Sequence, residues 1–297
     1  MNRQTSARAG IMMAVGAYLL WGGAMPVFLK LLRPMPPVDI LCNRILWSLL
    51  LLALLAWPMR RIAAIWGAIR NARLMAMLSA SAILIAANWL IYVSAVNGGH
   101  VVQASLGYFI NPLVNVLLGV IFLRERVSRP AAIAILLATI GVAGLAIWQH
   151  ALPLLSLALA VTFGLYGLVR KMAPIDAFEG LLVETALLSP IAAAWLLWNG
   201  SGMSPAGPSL GLLSLSGLIT TAPLLMFAGA TKRMRYADLG LLQYIAPTMQ
   251  LLLGVFAYGE PLLPIHLFTF GCIWSGLAIY AISSWRAARM MAIRERS

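Results

Sequence analysis

The polar side chains best suited to bind a small organic molecule lie in two apolar stretches of the chain. In the first stretch Tyr108, Asn111 and Asn115 recur at i, i+3 and i+7, so a helix presents them on one face. In the second stretch Gln243 and Gln250 repeat the i, i+7 spacing. Because amides and phenols both donate and accept hydrogen bonds, these residues are candidates for the wall of a binding cavity. The alternative is that their hydrogen bonds join neighbouring helices.

Aromatic residues with a polar tip extend this candidate cavity. Such side chains combine apolar contact with one orienting hydrogen bond, which suits the binding of organic molecules. Packing between helices, or anchoring at a membrane surface, is the competing explanation for each of them. The candidates within apolar stretches, together with one further amide, are Tyr18, Trp21, Asn88, Trp89, Tyr92 and Tyr166.

Two charged residues inside apolar stretches are candidates for binding or coupling. Arg44 could neutralise an anionic group, with Asp39 as a helper, or its side chain could snorkel to the lipid headgroups. Glu184 could change its protonation state, because burial favours the neutral form of a carboxyl group, or it could be a neutral structural acid. Each lies about 9 Å from its own membrane face in a core about 30 Å thick, so we expect no salt bridge between them.

The composition places the chain in a lipid bilayer. Of its 297 residues, 62% are hydrophobic and 10% are charged, so the chain cannot present the surface of a soluble protein. The net charge of +13 does not indicate a nucleic-acid partner, because the basic residues form short clusters between apolar runs. Cys42 and Cys272 are isolated, and His100, His150 and His266 are dispersed. We therefore predict no metal site and no cofactor.

Charge clusters and Pro or Gly breaks divide the chain into ten apolar segments, each long enough for a membrane-spanning helix. We number them as spans 1 to 10: residues 10–29, 38–57, 73–96, 103–123, 130–148, 151–170, 178–198, 209–229, 238–258 and 264–285. No HExxH motif or cluster of carboxylates lies within a span, and no ATP-binding P-loop is present. The sequence therefore indicates neither an enzyme nor an ATP-driven pump.

The basic residues predict the orientation of the chain in the membrane. If the N-terminus is cytoplasmic, 18 of the 21 Lys and Arg residues fall on the cytoplasmic side, and the opposite orientation reverses this ratio. Since cytoplasmic loops carry the excess of positive charge, we predict that both termini are cytoplasmic.

The two polar stretches belong to an internal repeat. QASLGYFINPLVNVLLGVIFLRER at 103–126 and DLGLLQYIAPTMQLLLGVFAYGEP at 238–261 align without a gap, which pairs Pro112 with Pro247 and Glu125 with Glu260. Each half has an odd number of spans, so the second half enters the membrane from the opposite side. We predict two inverted five-helix repeats, residues 1–149 and 150–297, with proline-kinked spans 4 and 9 antiparallel about a central cavity.

Several stretches resemble the drug/metabolite transporter (DMT) superfamily, in its EamA-type family and RarD-like branch. They are YLLWG (18–22), NRILWS (43–48), ANWLIYVSAVN (87–97), ASLGYFINPLVNVLLG (104–119), GLVRK (167–171) and QYIAPTMQLLLGVFAYGE (243–260). The resemblance covers nearly the whole chain. It implies the all-α EamA/DMT fold of an integral permease of the bacterial inner membrane, with a cavity lined mainly by spans 1, 3, 4, 6, 8 and 9. It also implies that spans 5 and 10 serve as contacts of a homodimer.

The repeat and the polar spans together predict a secondary transporter that works by alternating access. We expect it to move small organic metabolites or drugs outward, with the lipid bilayer as its surroundings. The alternative is a non-transport membrane protein, either an assembly or scaffold factor or a membrane enzyme. A collapsed interface between the two halves would favour a scaffold.

Overall fold

The computed structural model describes residues 3–32, 35–97, 101–148, 154–199, 209–259 and 261–294, and its regular elements are all helices. Within these ranges, ten helices are long and apolar enough to cross a membrane. The chain is therefore a multi-pass membrane protein with the all-helical architecture predicted for it. Glu260, His100 and His150 lie outside the described residues.

The helices follow the predicted segments, with the largest differences at the two ends of the chain. Span 1 begins earlier and span 10 ends later than predicted, because both helices continue into polar sequence. Span 1 consists of Arg3–Leu19, a π-helical turn at Leu20–Ala24 and Met25–Leu31, and span 9 of Tyr236–Leu242, Ile245–Leu252 and a π-helical turn at Leu253–Ala257. The other spans are Pro37–Ala56, Ala72–Asn97, Val101–Leu123, Arg129–Trp148, Leu154–Met172, Ala177–Asn199, Leu210–Arg233 and Pro264–Arg294.

A short helix that the sequence did not predict, Ile62–Arg70, connects spans 2 and 3. Trp66 and Ile69 on this helix are exposed, and Arg70 ends it. Exposed apolar side chains beside basic residues suit a helix that lies along the membrane surface. From the sequence alone this region is expected to be a loop, because its basic residues form a cluster between two apolar segments.

Proline shapes the two repeated helices differently. Pro112 lies inside an uninterrupted helix in span 4, whereas span 9 breaks at Gln243 and Tyr244, just before Pro247. Proline has no N–H to donate to the carbonyl of Gln243, and the N–H of Ala246 bonds to that oxygen instead, at 3.0 Å. Of the two kinks predicted from the prolines, only the one in span 9 interrupts the helix.

The packing of the spans follows the repeat, in which spans 1 to 5 correspond to spans 6 to 10. Spans 2 and 7, 4 and 9, and 5 and 10 pack together, and each of these pairs maps onto itself. Span 1 packs on spans 8 and 9, and span 6 packs correspondingly on spans 3 and 4. The Tyr244 hydroxyl donates to the carbonyl of Phe109, its own partner in the repeat, at 3.2 Å. This pattern favours a two-fold relation between the halves, and the division at residues 149 and 150 stays a prediction.

Glycines allow the backbones of spans 5 and 10 to touch. A Cβ added to Gly141 would lie 2.9 Å from the carbonyl oxygen of Thr269, and a Cβ added to Gly276 would lie 2.9 Å from the Cα of Ala134. These two contacts are equivalent in the repeat, because residues 134 and 141 correspond to 269 and 276. The Thr269 hydroxyl also donates to the Gly141 carbonyl, at 3.1 Å. Close backbone approach of this kind stabilises helix pairs in lipid, where apolar burial contributes little.

Gly276→Leu should destabilise the fold through this contact. A side chain would meet the backbone of Ala134, which cannot move aside, and overpacking of this kind costs about 1–3 kcal/mol. The measurement is the free energy of unfolding of the purified protein in mixed micelles. Gly271→Leu on the same span is the matched control, because a Cβ there has no neighbour within 4 Å. Equal effects of the two variants would contradict the packing account.

Candidate functional site

A cavity of about 390 Å³ lies inside the bundle, with walls from spans 1, 2, 3, 4, 6, 8 and 9. This volume is in the range of pockets that bind small organic molecules. Most of the polar and aromatic candidates from the sequence meet on its wall, although they come from five different spans. They are Tyr18, Trp21, Arg44, Asn88, Trp89, Tyr92, Tyr108, Asn111, Gln243 and Gln250.

The cavity extends from the middle of the bundle to the end at which span 1 ends and span 2 begins. Its wall runs from Tyr18 to Leu29 in span 1 and from Gln243 to Tyr258 in span 9. Tyr18 and Gln243 are buried, whereas Tyr108 and Tyr258 retain some exposure. We call this end the mouth end, and the opposite end of the bundle the closed end.

Aromatic rings form the inner part of the wall. Trp21 packs against Phe163 and Phe227, with ring centroids 5.6 Å apart in both pairs, and against Tyr18 at 6.1 Å. The Tyr18 hydroxyl donates to the carbonyl of Leu239 at 3.1 Å, which connects span 1 to span 9. A bound molecule would meet rings held in place by their neighbours.

The two asparagines on the wall differ in how their amides are used. Asn88 donates to the carbonyl of Leu159 at 2.8 Å and to the Thr162 hydroxyl at 2.9 Å, so its NH₂ group joins span 3 to span 6. Asn111 is buried, and its Oδ1 has no hydrogen-bond partner among the described residues. Since an unpaired buried acceptor is costly, Asn111 is the wall residue best placed to accept a hydrogen bond from a solute.

Asn115 does not lie on the cavity wall, in contrast to the expectation from its helical spacing. Its Nδ2 donates to Gln243 Oε1 at 2.5 Å, and the Tyr236 hydroxyl lies 3.0 Å from its Oδ1. The same hydroxyl donates to the carbonyl of Gly164 at 2.7 Å. Asn115 lies one helical turn nearer the closed end than Asn111, where spans 4, 6 and 9 are in contact. The alternative explanation, hydrogen bonding between helices, therefore describes Asn115.

Tyr166 and Glu184 are also buried away from the main cavity. Glu184 accepts hydrogen bonds from Ser81 and from Arg170, whose Nη1 lies 3.3 Å from Glu184 Oε1. Arg170, which the sequence assigned to the cytoplasmic charge clusters, is only 1% exposed. Gly180 makes this burial possible, because a Cβ there would overlap the guanidinium. The pairing of Glu184 with Arg170 was not predicted.

Arg44 and Glu184 have different partners, as their depths predicted. Arg44 Nε donates to the Thr220 hydroxyl at 2.8 Å, and its guanidinium lies 5.2 Å from the centre of the Trp89 ring. Asp39 accepts a hydrogen bond from Trp195 Nε1 at 2.9 Å. Asp39, the proposed helper of Arg44, is thus hydrogen-bonded to span 7 instead.

Glu125 closes the end of the bundle opposite the mouth. Its carboxylate accepts hydrogen bonds from the backbone N–H groups of Tyr236 (2.7 Å) and Ala237 (2.8 Å) and so caps the start of span 9. A Cβ on Gly119 would lie 2.9 Å from this carboxylate, so the glycine leaves the space that the carboxylate occupies. Span 4 is held to span 9 by this cap.

Lys171 extends the same contact to spans 6 and 8. Its Nζ lies 3.8 Å from Glu125 and donates to the carbonyl oxygens of Thr231 (2.9 Å) and Met234 (2.6 Å). Glu125 and Lys171 therefore hold the turn between spans 8 and 9 from both sides. We call this pair the closed-end clasp.

Arg61, in the connection that follows span 2, adds an ion pair at the same end with the start of span 7. Its Nη1 lies 2.7 Å from Glu179 and 3.0 Å from Asp176. These hydrogen bonds, that to Glu179 first, raise the pKa of Arg61, so the contact stays charged. Together with the closed-end clasp it connects spans 2, 4, 6, 7, 8 and 9 where the cavity does not reach.

Sequence reasoning missed several wall residues, notably Phe163 and Tyr258. Phe163 is apolar and looked like any packing residue, and Tyr258 lies at the end of its span. Arg170 could have been found from the short connection between spans 6 and 7, which brings it opposite Glu184. No cluster of three or more His, Cys, Asp or Glu residues that could hold a metal ion occurs in the described part of the chain.

Removal of one partner from the buried Arg170–Glu184 pair should be more damaging than removal of both. Arg170→Met or Glu184→Met leaves an uncompensated buried charge, at a cost of about 3–5 kcal/mol, whereas the double variant leaves none. The measurement is again the free energy of unfolding in mixed micelles. Asp176→Asn, at a carboxylate that is 76% exposed, should change it by less than about 1 kcal/mol. A double variant less stable than both single variants would contradict this account.

Comparison with known proteins supports the architecture. A profile of the EamA-like transporter family matches residues 8–147. A solved crystal structure superposes with a TM-score of 0.68 over 91% of this chain and 96% of that chain, at 17% sequence identity, which shows a shared fold.

Relatives match over nearly the full length of the chain. An uncharacterized transporter of Pseudomonas aeruginosa is 43% identical, over 96% of this chain and 97% of that protein. The protein RarD of Escherichia coli is 41% identical, over 93% and 95%. The transporter YojE of Bacillus subtilis, also named uncharacterized, is 39% identical, over 96% and 98%. The chain belongs to the EamA-like transporter family, within the drug/metabolite transporter superfamily.

Proposed function

We propose that this protein is a secondary transporter of small organic solutes that works by alternating access. One observation carries the proposal: a cavity of solute size reaches one end of the bundle, and charged and backbone contacts close the other end. A carrier needs these two features in each of its two states, with the open and closed ends exchanged. The polar and aromatic wall provides the binding site at mid-depth.

The alternatives find less support. A collapsed interface between the two halves was the expected sign of a scaffold. The bundle instead contains a cavity of about 390 Å³ lined by aromatic and amide side chains, which a scaffold does not require. An enzyme would need a reactive group on the cavity wall. The sequence GPSLG at 207–211 has the GxSxG form of some hydrolases, yet Ser209 caps span 8 by accepting a hydrogen bond from the N–H of Leu212 at 3.3 Å. We therefore propose transport without catalysis.

Orientation and direction complete the proposal. The distribution of basic residues favours cytoplasmic termini in the bacterial inner membrane, and in that orientation the mouth end faces outward. The described state is then an outward-facing state, and we propose export as the physiological direction. A homodimer through spans 5 and 10 remains a prediction from the family resemblance.

Glu184 is our candidate for the group that couples transport to protons. A void of about 10 Å³, room for about one water molecule, lies between it and the cavity, and Ile85, Trp89 and Leu224 belong to the walls of both. The oxygens Glu184 Oε2 and Tyr166 Oη have no hydrogen-bond partner among the described residues. A water molecule in this void would hydrogen-bond to these oxygens and could pass a proton to the carboxylate.

The neighbours of Glu184 set the condition for proton uptake. Arg170 and Tyr166 face it from span 6, and Ser81 from span 3, while Ile45 of span 2 and Thr220 of span 8 complete the void. Arg170 carries the only charge in direct contact with Glu184, within the described residues, and it opposes protonation of Glu184 while the two side chains are paired. Opening of the closed end would hydrate Arg170, and Glu184 could then accept a proton. We propose that proton uptake accompanies this opening.

Asn111→Leu should abolish solute exchange without loss of expression. The substitution removes the unpaired amide acceptor from the cavity wall and replaces it with an apolar side chain of similar size. The measurement is solute counterflow in reconstituted vesicles against a metabolite panel, because counterflow distinguishes a carrier from a channel. Leu117→Met on the same span, at a residue that is 56% exposed, is the control and should retain full exchange. Full exchange by the Asn111 variant would remove span 4 from the pathway.

Glu184→Gln should keep counterflow and lose its response to a pH gradient. Glutamine preserves the shape of the side chain but cannot be ionised. The measurement is the initial rate of solute movement with and without an imposed gradient. Glu179→Gln, at a neighbouring carboxylate on the same span, should keep the response. A Glu184 variant that still responds to the gradient would exclude this residue as the coupling group.

A further inference from the structure

Arg44 is a cation on the cavity wall without a counter-ion. Its Nε donates to the Thr220 hydroxyl and its guanidinium lies over the Trp89 ring, and neither contact neutralises the charge. No ion pair within the described ranges includes Arg44, and Asp39 on the same helix bonds to Trp195. A guanidinium inside a membrane protein that lacks a carboxylate partner is costly, so a further interaction is expected for it.

The direction of the side chain excludes snorkelling to the mouth-end headgroups. Thr220, which holds Nε, lies ten residues into span 8, about 15 Å along the helix axis at 1.5 Å per residue. Arg44 itself lies only seven residues into span 2, about 10 Å from the same end of the bundle. The guanidinium therefore points deeper than its own Cα. It is directed into the cavity, where a solute binds.

The free Nη groups suit one chemical class. The Nε bond to Thr220 and the contact with Trp89 fix the plane of the guanidinium, and the Nη1 and Nη2 donors have no partner among the described residues. Such a fork matches the two oxygens of a carboxylate. Tyr92 and Tyr108, which pack edge to face at 6.0 Å, lie on the same wall. Their hydroxyls are hydrogen-bonded to each other, which leaves one neutral hydroxyl to donate to a solute.

The rest of the wall defines the body of the solute. Trp21, Phe163 and Leu253 provide apolar and aromatic surface, and Asn111 Oδ1 lacks a donor. We propose that the cavity binds small organic acids, with the carboxylate on Arg44 and an apolar or aromatic body against these side chains. This inference rests on the proposed function, since it names the class of solute that the carrier moves.

The first test compares ligands that differ only in charge. Matched trios of a carboxylate, its neutral amide and the corresponding amine are used, beginning with phenylacetate, phenylacetamide and phenethylamine and extended to indolyl and branched alkyl bodies. Binding to the purified protein is measured by calorimetry. The carboxylates should bind about tenfold more tightly than the amides or better, because charge-assisted bidentate hydrogen bonds are worth more than 1.4 kcal/mol.

Substitutions of Arg44 should remove this preference in a graded way. Arg44→Gln should bring the affinities of carboxylate and amide to within about twofold of each other, and Arg44→Lys should keep part of the difference, since lysine retains the charge and loses the fork. Lys30→Gln is the matched control. Lys30 is not itself a residue of the cavity wall; its Nζ lies 3.6 Å from the centre of the Tyr258 ring at the mouth, and its loss should leave the preference unchanged.

A measurement on the unaltered protein avoids any failure of the variants to fold. Phenylglyoxal modifies accessible guanidinium groups, and peptide mass spectrometry reports the extent of modification at Arg44 separately from the other arginines. Phenylacetate should protect Arg44, whereas phenylacetamide at the same concentration should not. Equal protection by both would place the bound solute on the wall without contact to the charge, and would overturn the proposal.

The outcomes separate this inference from the proposed function. Absence of a carboxylate preference in the wild type, including the case in which no member of the trios binds, would overturn the assignment of Arg44. If the protein exchanges neutral or cationic solutes and Arg44→Gln leaves this counterflow intact, the assignment of Arg44 is overturned. The proposed transport function would be retained. Carboxylate binding that depends on Arg44, without counterflow of any solute, would support the binding site and reject the carrier.

Discussion

The hydrocarbon core of a bilayer offers no hydrogen-bond partners, and this constraint organises the polar groups of the molecule. Each polar side chain in a span must pair inside the protein or face a cavity. The Asn115–Gln243 hydrogen bond and the Arg170–Glu184 pair are internal solutions toward the closed end. Asn111 Oδ1 is left without an internal partner on the cavity wall. On the cavity wall, this unpaired acceptor marks a point at which a solute would replace water.

Close contact between backbones sets the frame for these polar groups. A Cβ on Gly22 would lie 2.5 Å from the carbonyl oxygen of Ala246, and one on Gly217 would lie 2.6 Å from that of Trp47. Spans 1 and 9, and spans 2 and 8, therefore touch through their main chains. Because lipid tails are as apolar as the side chains, such contacts and interhelical hydrogen bonds supply much of the packing energy. These contacts fix each helix against its neighbour.

The two ends of the bundle differ although the sequence repeat relates them. At the closed end Glu125 caps the start of span 9, while Lys171 binds the end of span 8. These contacts attach side chains to helix termini, where backbone groups lack intrahelical partners. Their loss would leave the interior of each helix unchanged, because the bonds within the spans do not depend on them. The contacts at the closed end are therefore separate from the packing within the spans.

Hydropathy, the alternation of charge and the 135-residue repeat predicted the class, the ten spans and most of the polar residues on the cavity wall. These are local properties of the chain, and a helix in lipid follows from them directly. The sequence could not tell that Asn111 faces the cavity while Asn115 pairs with Gln243, or that Arg170 turns inward to Glu184. Which groups meet depends on the rotation and crossing of helices distant in sequence. The sequence by itself therefore determined the membrane architecture and its polar candidates, and only tertiary packing decided which candidates were paired and which stayed free for a solute.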